Sequence, residues 1–229
     1  MGGLILAGNP PISITLRRSA RARRLSLRVS QLDGRVTLTL PNAVSKAEGL
    51  AFVRSREGWI RSHLDSRSGP VEVGLGASLP IEGVPHEIGL GEGRSVRQQD
   101  GMLLIPGPED RIAARLKGWL KARARDRLAE ASDRYSQKLG RPYDRLTLRD
   151  TRSRWGSCTH DGGLMYSWRL ILGHPEVLDY VAAHEVAHLR HMDHSAAFWT
   201  QVETLYGDWR APRKWLRDHG AELHRYRFD

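Results

Sequence analysis

The chain has one cysteine, Cys158, in 229 residues, so no internal disulfide can form. No apolar run approaches the ~18 residues that a membrane helix needs, and no membrane association is expected. The opening MGGLILAGNP has no basic leader and only a four-residue apolar patch, too short for a secretory signal. Leu6 stands where a myristoylation motif wants Ser or Thr, so Gly2 is not an expected acylation site. Internal repeats are absent as well. Together these absences point to a cytoplasmic protein. Acidic residues are also scarce, 26 against 36 basic ones, which gives a net charge of +10 and a pI near 10.3. Arginine far outnumbers lysine. Such a balance favours polyanionic partners through long-range attraction and counterion release, although a solvated arginine-rich surface carries the same number. Hydrophobic residues at 40% and charged residues at 27% suit a packed core and exclude wholesale disorder.

The amino-terminal half reads as short strands. Ile12, Ile14 and Leu16 alternate, as do Leu25, Leu27 and Val29, and Asp33-Gly34 makes a turn before Val36, Leu38 and Leu40. Ser45 is the expected N-cap of a helix to about Leu64, burying Leu50, Val53, Trp59 and Ile60. The Gly- and Pro-rich stretch 66–93 reads as a hairpin, Leu79–Ile81 with His86–Leu90, followed by weak strands at Ser95–Gln98 and Met102–Ile105. Glu109 and Asp110 open a long helix to about Leu139, stopped by Gly140 and Pro142. Three candidate strands follow, Arg145–Arg149, a piece around Trp155, and Leu164–Leu170. A helix after His174-Pro175 and two more, about Ser195–Tyr206 and Pro212–Leu223, complete the pattern. Pro106–Pro108 mark the expected division, a β-rich region over 1–107 and an α+β region over 108–229.

Residues 178–199 read LDYVAAHEVAHLRHMDHSAAFW. His184 and His188 lie four apart, so on a helix their rings share a face about 6 Å apart along the axis and can converge on one ion. Glu185, at the edge of that face, can take a proton from water held by the ion without being a ligand. A catalytic zinc wants a third protein ligand. His191 shares the face but lies about 10 Å along a straight helix from His184, too far to reach the same ion. His194 reaches it if the chain turns back just after Arg190, which Met192-Asp193 allow. His194 is therefore the expected third ligand and His191 a supporting or solvent residue, with Asp193 and Glu203 as weaker alternatives. The pattern differs from HExxHxxGxxH peptidases, because His191 occupies the turning glycine's place and no methionine follows Met192.

With TRSRWGSC at 151–158, YSWRLIL at 166–172 and the histidine run in this order, the chain resembles the YgjP-like metal-dependent hydrolases, relatives of the SprT and WLM peptidase groups. RRSARARRLSLRVS followed by DGRVTLTLP is similar to that family's amino-terminal segment. The resemblance implies zinc (Zn2+) on His184, His188 and His194, with Glu185 catalytic. It implies an α+β fold in which the β-rich amino-terminal region precedes a zincin-like helical core with a small antiparallel sheet. It implies metallopeptidase chemistry, and also a nucleoside triphosphate pyrophosphatase activity, on UTP in particular.

The leading expectation is a peptidase, in which water activated by zinc and Glu185 attacks a peptide bond of a polypeptide lying along a strand edge. The second is a nucleotide pyrophosphatase, with Arg152, Arg154 and Arg169 converging on a triphosphate. The third is a basic nucleic-acid-binding module whose zinc is structural, for which a closed four-ligand site would speak. Arg152 and Arg154 are the candidate substrate-binding residues, since guanidinium groups grip carboxylate or phosphate in bidentate fashion. Trp155 is more readily a packing residue, Cys158 a small buried one, and Phe198, Trp199, Val202 and Leu205 core at helical spacing. His219 and His224 read as surface residues. Arg17, Arg18, Arg21, Arg23, Arg24 and Arg28 form a dense basic segment without the aromatic residues of a base-stacking platform.

Overall fold

The computed structural model describes residues 3–30, 32–65 and 69–229. Gly2 and the first residues of the glycine-rich stretch, 66–68, lie outside them. Contacts divide the chain into two units, Met1–Gly69 and Pro70–Asp229.

The first unit is a four-stranded sheet with two helices. Strands β1 (Gly3–Leu6), β2 (Ile12–Arg18), β3 (Ser26–Val29) and β4 (Val36–Leu40) lie in the order β1-β2-β4-β3, with β2 and β4 parallel and the other pairs antiparallel. Period-two alternation sends Ile12, Ile14, Val36, Leu38 and Leu40 into the core and leaves Thr15, Thr37 and Thr39 on the other face. Helix α1 (Lys46–Ser55) begins at a full capping box. The Ser45 hydroxyl accepts from the Glu48 N–H, and the Glu48 carboxylate accepts from the Ser45 N–H at 2.9 Å. A Cβ on Gly49 would meet Leu40 at 2.7 Å, so glycine here lets the helix settle onto the sheet. The expected single helix is two. The i to i−4 ladder gives way at Arg56, whose N–H bonds the Val53 carbonyl, and α2 (Glu57–Asp65) then buries Ile60.

The second unit opens with β5 (Val71–Glu72), followed by β6 (Ser78–Ile81), β7 (Val84–Gly91), β8 (Arg97–Gln99) and β9 (Met102–Pro106), the last four in a sheet of order β6-β7-β9-β8. The division thus falls at 69–70, where the sequence placed it at 107–108. The reason is burial. Leu79, Ile81, Ile88, Leu103 and Ile105 share one core with Leu116, Leu120 and Leu128 of α3 (Ile112–Leu139). The Glu82 N–H bonds the Ile171 carbonyl at 2.7 Å, and its carboxylate accepts from Arg123 and Arg127, each at 2.7 Å. Gly140, at φ +71°, ends α3 in the left-handed conformation.

Strands β10 (Arg145–Arg149), β11 (Gly156–Cys158) and β12 (Gly163–Ser167) form a sheet of order β10-β12-β11. It is mixed rather than wholly antiparallel. β10 runs parallel to β12, because the chain passes through β11 on the far side before returning to the centre. After a 3-10 turn over Trp168–Leu172 comes α4 (Pro175–Ala187), with Pro175 in its first turn and nine of its thirteen residues buried. Helices α5 (Ala196–Tyr206) and α6 (Arg210–His219) pack against it, and β13 (Tyr226–Arg227) pairs in parallel with β5. The fold is α+β. Among the described residues no helix is long and apolar enough to cross a membrane.

Candidate metal centre

The HEVAH run occupies the last turn of α4, and the helix stops there. The N–H groups of Arg190 and His191 both turn to the Ala187 carbonyl, so the chain doubles back within one turn. Asp193 then accepts from the Ser195 N–H, and the Ser195 hydroxyl caps α5 by accepting from Phe198. This reversal returns His194 to the face that carries His184 and His188. The Nε2 atoms of His184 and His194 are 3.2 Å apart, and ring nitrogens of all three residues lie within 4.8 Å of one another. His191 stays outside the cluster and contributes its backbone. Its carbonyl lies 2.8 Å from His188 Nδ1. A carbonyl only accepts, so Nδ1 carries the hydrogen and Nε2 keeps its lone pair for the cluster.

Beneath the three rings lies Phe198, fully buried. It stacks on His188 with centroids 4.4 Å apart and meets His184 and His194 edge-on at 4.9 Å each. The sequence assigned Phe198 to the core, which is so, but it is also the floor on which the imidazoles rest. Its place four residues after His194, one turn along α5, is the only sequence signal of that role.

Burial lowers the pKa of His184 to about 3, helped by His188, His194 and Arg213. Burial also lowers that of His188, against the bond to the His191 carbonyl. Both rings are therefore neutral at ordinary pH, the form in which imidazole offers a lone pair to a cation. Two nitrogens each ~2.0–2.1 Å from one tetrahedral ion stand about 3.3 Å apart, close to the observed 3.2 Å. The donor set fits a zinc-like divalent ion. Among the described residues no fourth His, Cys, Asp or Glu joins the cluster.

Glu185 is 6% exposed, and its carboxylate lies against Gly156 of β11. A Cβ at that glycine would sit 2.5 Å from Glu185 Oε1. Burial pushes the Glu185 carboxyl up to about 8, while the charge of Arg154 acts in the opposite direction. Strand β11 is an edge strand of its sheet, and among the described residues no other strand pairs with its free side.

The arginines separate. Arg154 is exposed and close enough to act on Glu185, and it lines a cleft of about 310 Å³ with Arg145, Arg149 and Ser157. Arg152 instead lies within electrostatic reach of His224. Arg169 points into the core, donating to Asp150 at 2.6 Å and to the Leu223 and Tyr226 carbonyls at 3.0 and 3.1 Å. The expected convergence of Arg152, Arg154 and Arg169 is absent because Arg169 is committed to these structural partners. His224 is half-buried rather than fully exposed. Its ring lies 5.1 Å from that of Trp155, which itself packs on Gly220. Burial first, then the neighbouring acids, raises the Cys158 thiol to about 11, and its sulfur is no part of the histidine cluster.

Two nearby residues escaped the sequence reading. Tyr180, one turn before His184 on α4, presents its ring edge-on to that histidine with centroids 5.9 Å apart. Arg213 of α6 lies over Trp199 at 4.6 Å and Trp209 at 5.4 Å, and its charge reaches both His184 and Tyr180. Tyr180 stands one helical turn from the motif but is no metal-ligand type there, and Arg213 lies far from it along the chain.

A family model described as YgjP-like, metallopeptidase domain, matches residues 23–219. Curated proteins give no match. Among solved structures, the chain is similar to the crystal structure of the metallopeptidase zymogen of Pyrococcus abyssi abylysin. Identity there is 21%, covering 41% of this chain and 92% of that one, with a TM-score of 0.36.

Proposed function

The chain belongs to the YgjP-like metallopeptidase-domain family and so to the metal-dependent hydrolases, and from that premise we propose that it is a zinc peptidase. His184, His188 and His194 hold the ion in this reading, and Glu185 handles the proton. The observation that carries it is the convergence of three imidazoles beside one buried carboxyl group.

When bound, zinc supplies Lewis acidity, lowering the pKa of a water and polarising a carbonyl. The rest falls to the protein. Glu185 sits where desolvation brings its carboxyl near neutrality, so it can both accept a proton and return it to a leaving amine. Gly156 leaves room for that carboxylate, and it belongs to β11, an edge strand. An extended polypeptide adding to that edge by main-chain hydrogen bonds would carry its peptide groups past Glu185. Arg154, exposed at the same place, offers a cation to a substrate carbonyl or carboxylate. The three-donor cluster supports a catalytic rather than a structural ion, because a structural zinc is closed by four protein ligands. The commitment of Arg169 to the core removes one of the three arginines expected at a triphosphate site.

The test compares wild type with Glu185→Gln for metal content and for hydrolysis of an unfolded protein and of UTP. We expect both proteins to bind zinc, and the wild type to cleave the polypeptide. The variant should be slower by about 100-fold or more, the usual scale for loss of a general base. Full activity in the variant would remove Glu185 from the reaction. Phosphate release from UTP that vanishes in the variant would replace the peptide substrate with a nucleotide.

A further inference from the structure

The charge of this protein is unevenly placed. Residues 1–69 hold twelve basic side chains against four acidic ones, and so eight of the chain's ten surplus positive charges. Eleven of those twelve are arginine, the side chain whose planar fork matches a phosphate.

The strand register shows where part of this charge faces. Across the sheet, Thr15 pairs with Thr37 and Thr37 with Arg28, while Arg17 pairs with Thr39 and Thr39 with Ser26. These two rows are the outer face, opposite the buried Ile14, Val36 and Leu38. It is a lattice of hydroxyl groups with an arginine at the end of each row. From strand spacings, Arg17 and Arg28 are about 12 Å apart, comparable with the width of a duplex groove. Arg23 and Arg24, both exposed, extend the charge into the loop between β2 and β3. A cleft of about 630 Å³ at the border of this face is lined by Arg17, Arg35, Thr37 and Lys46 among others.

Not every arginine in the unit is available. Arg18 donates to the Asn42 and Val44 carbonyls at 3.0 and 3.1 Å, and Arg61 to Glu57 and to the Pro10 carbonyl at 2.9 Å each. Those two hold the fold together. Among the described residues Arg17, Arg23, Arg24 and Arg28 have no carboxylate partner, and the segment 17–28 contains no acid at all. Unpaired arginines kept on one face of a small unit repel one another, and a polyanion relieves that repulsion.

We propose that the outer face of the β1–β4 sheet binds the sugar-phosphate backbone of duplex nucleic acid. Hydroxyl groups and guanidinium groups are the side chains that contact phosphate and sugar. The two rows hold no aromatic ring on which unpaired bases could stack, which argues against a single strand. Among the described residues Ile5 is the one exposed large aliphatic side chain on the face, too little apolar surface for insertion among lipids. Recognition is by backbone charge, so affinity depends strongly on salt and little on base sequence.

The test is fluorescence anisotropy of the full chain with a labelled DNA duplex of about 20 base pairs, titrated from about 50 to 300 mM salt. With four arginines engaged, log affinity should fall against log salt with a slope of about −3 to −4. The double substitution Arg17→Ala, Arg28→Ala should flatten that slope by about 2 and weaken binding about tenfold or more at 100 mM salt. Its thermal midpoint should stay at the wild-type value, since neither side chain is buried. A matched double substitution in the second unit, Arg210→Ala with Arg217→Ala, removes the same charge and should change affinity by less than about twofold. Equal weakening by both pairs would reduce the effect to net charge and overturn the assigned face. Absence of binding at low salt, tighter binding to an unpaired strand, or binding to anionic phosphatidylserine vesicles that duplex cannot displace would each overturn the proposal.

Discussion

Gly156 shows how much can rest on a missing methyl group. Its backbone is ordinary extended strand, so alanine is allowed conformationally, yet a Cβ would fall 2.5 Å from the Glu185 carboxylate. We expect Gly156→Ala to fold and to keep its metal, because the atoms that a Cβ would meet first all belong to Glu185 and not to a histidine. Turnover should fall about tenfold or more as Glu185 is pushed from its seat, a displacement of the kind that costs catalysis heavily. Metal analysis beside a kinetic assay checks this, and loss of metal with activity would show that the substitution had damaged the helix instead. The sequence disclosed the histidines because their partners are a helical turn away or one chain reversal later. It was silent on Gly156 and Arg213, whose importance arises only when β11 and α6 come to lie against α4. Phe198 was visible as an apolar position and invisible as a platform, because hydrophobicity reports burial and not what a ring is buried against.

Secondary-structure elements were legible where their ends carry chemistry. Ser45 with Glu48 announces α1, Gly140 closes α3, and Pro175 opens α4. We expect Ser45→Ala to lower the stability of the first unit by about 1 kcal/mol, the usual worth of an N-cap, measured by urea unfolding. An unchanged midpoint would mean that packing of Val53 and Ile60 alone holds the helix pair in place. Elements without such punctuation were harder to see. Strands β5 and β13 have two residues each, too few for any periodicity, and exist only because they pair with each other. Between α1 and α2 no proline or turn signal marks Arg56, so one helix was the natural expectation. The stretch after Trp168 looked like more strand because it is continuously apolar, and Trp168–Leu172 is instead a 3-10 turn buried on every side.

For the molecule as a whole, the sequence pointed to a boundary at Pro106–Pro108 because prolines and glycines cluster there, but the core runs past them. Punctuation marks turns, whereas domains are set by which apolar faces share a core. One long-range tie within the second unit is open to a simple test. Arg169, buried, joins Asp150 to the carbonyls of Leu223 and Tyr226 near the chain end. Burial pushes the Asp150 carboxyl up, but the hydrogen bond and charge of Arg169 more than offset it and hold the group below its ordinary value. Its stabilisation is therefore present above the ordinary carboxylate range and is lost as pH falls through the lowered pKa. Asp150→Asn should cost about 1–2 kcal/mol at pH 7, less than the ~3–5 of a fully buried pair because Asp150 is 38% exposed. The gap between wild type and variant should narrow as pH falls below the ordinary carboxylate range, read by urea unfolding across an acid series. A gap that keeps its full size throughout the series would show that the asparagine loses shape rather than charge.

The parallel pairing of β5 with β13 sets Val71 directly beside Tyr226. The two ends of the second unit are thus neighbours. A short flexible tether could splice the two ends, and the ring so formed could be reopened at an exposed tip such as Glu92–Arg94. The same adjacency makes this portion a cassette, able to be carried in a surface loop of a host protein without prising its ends apart.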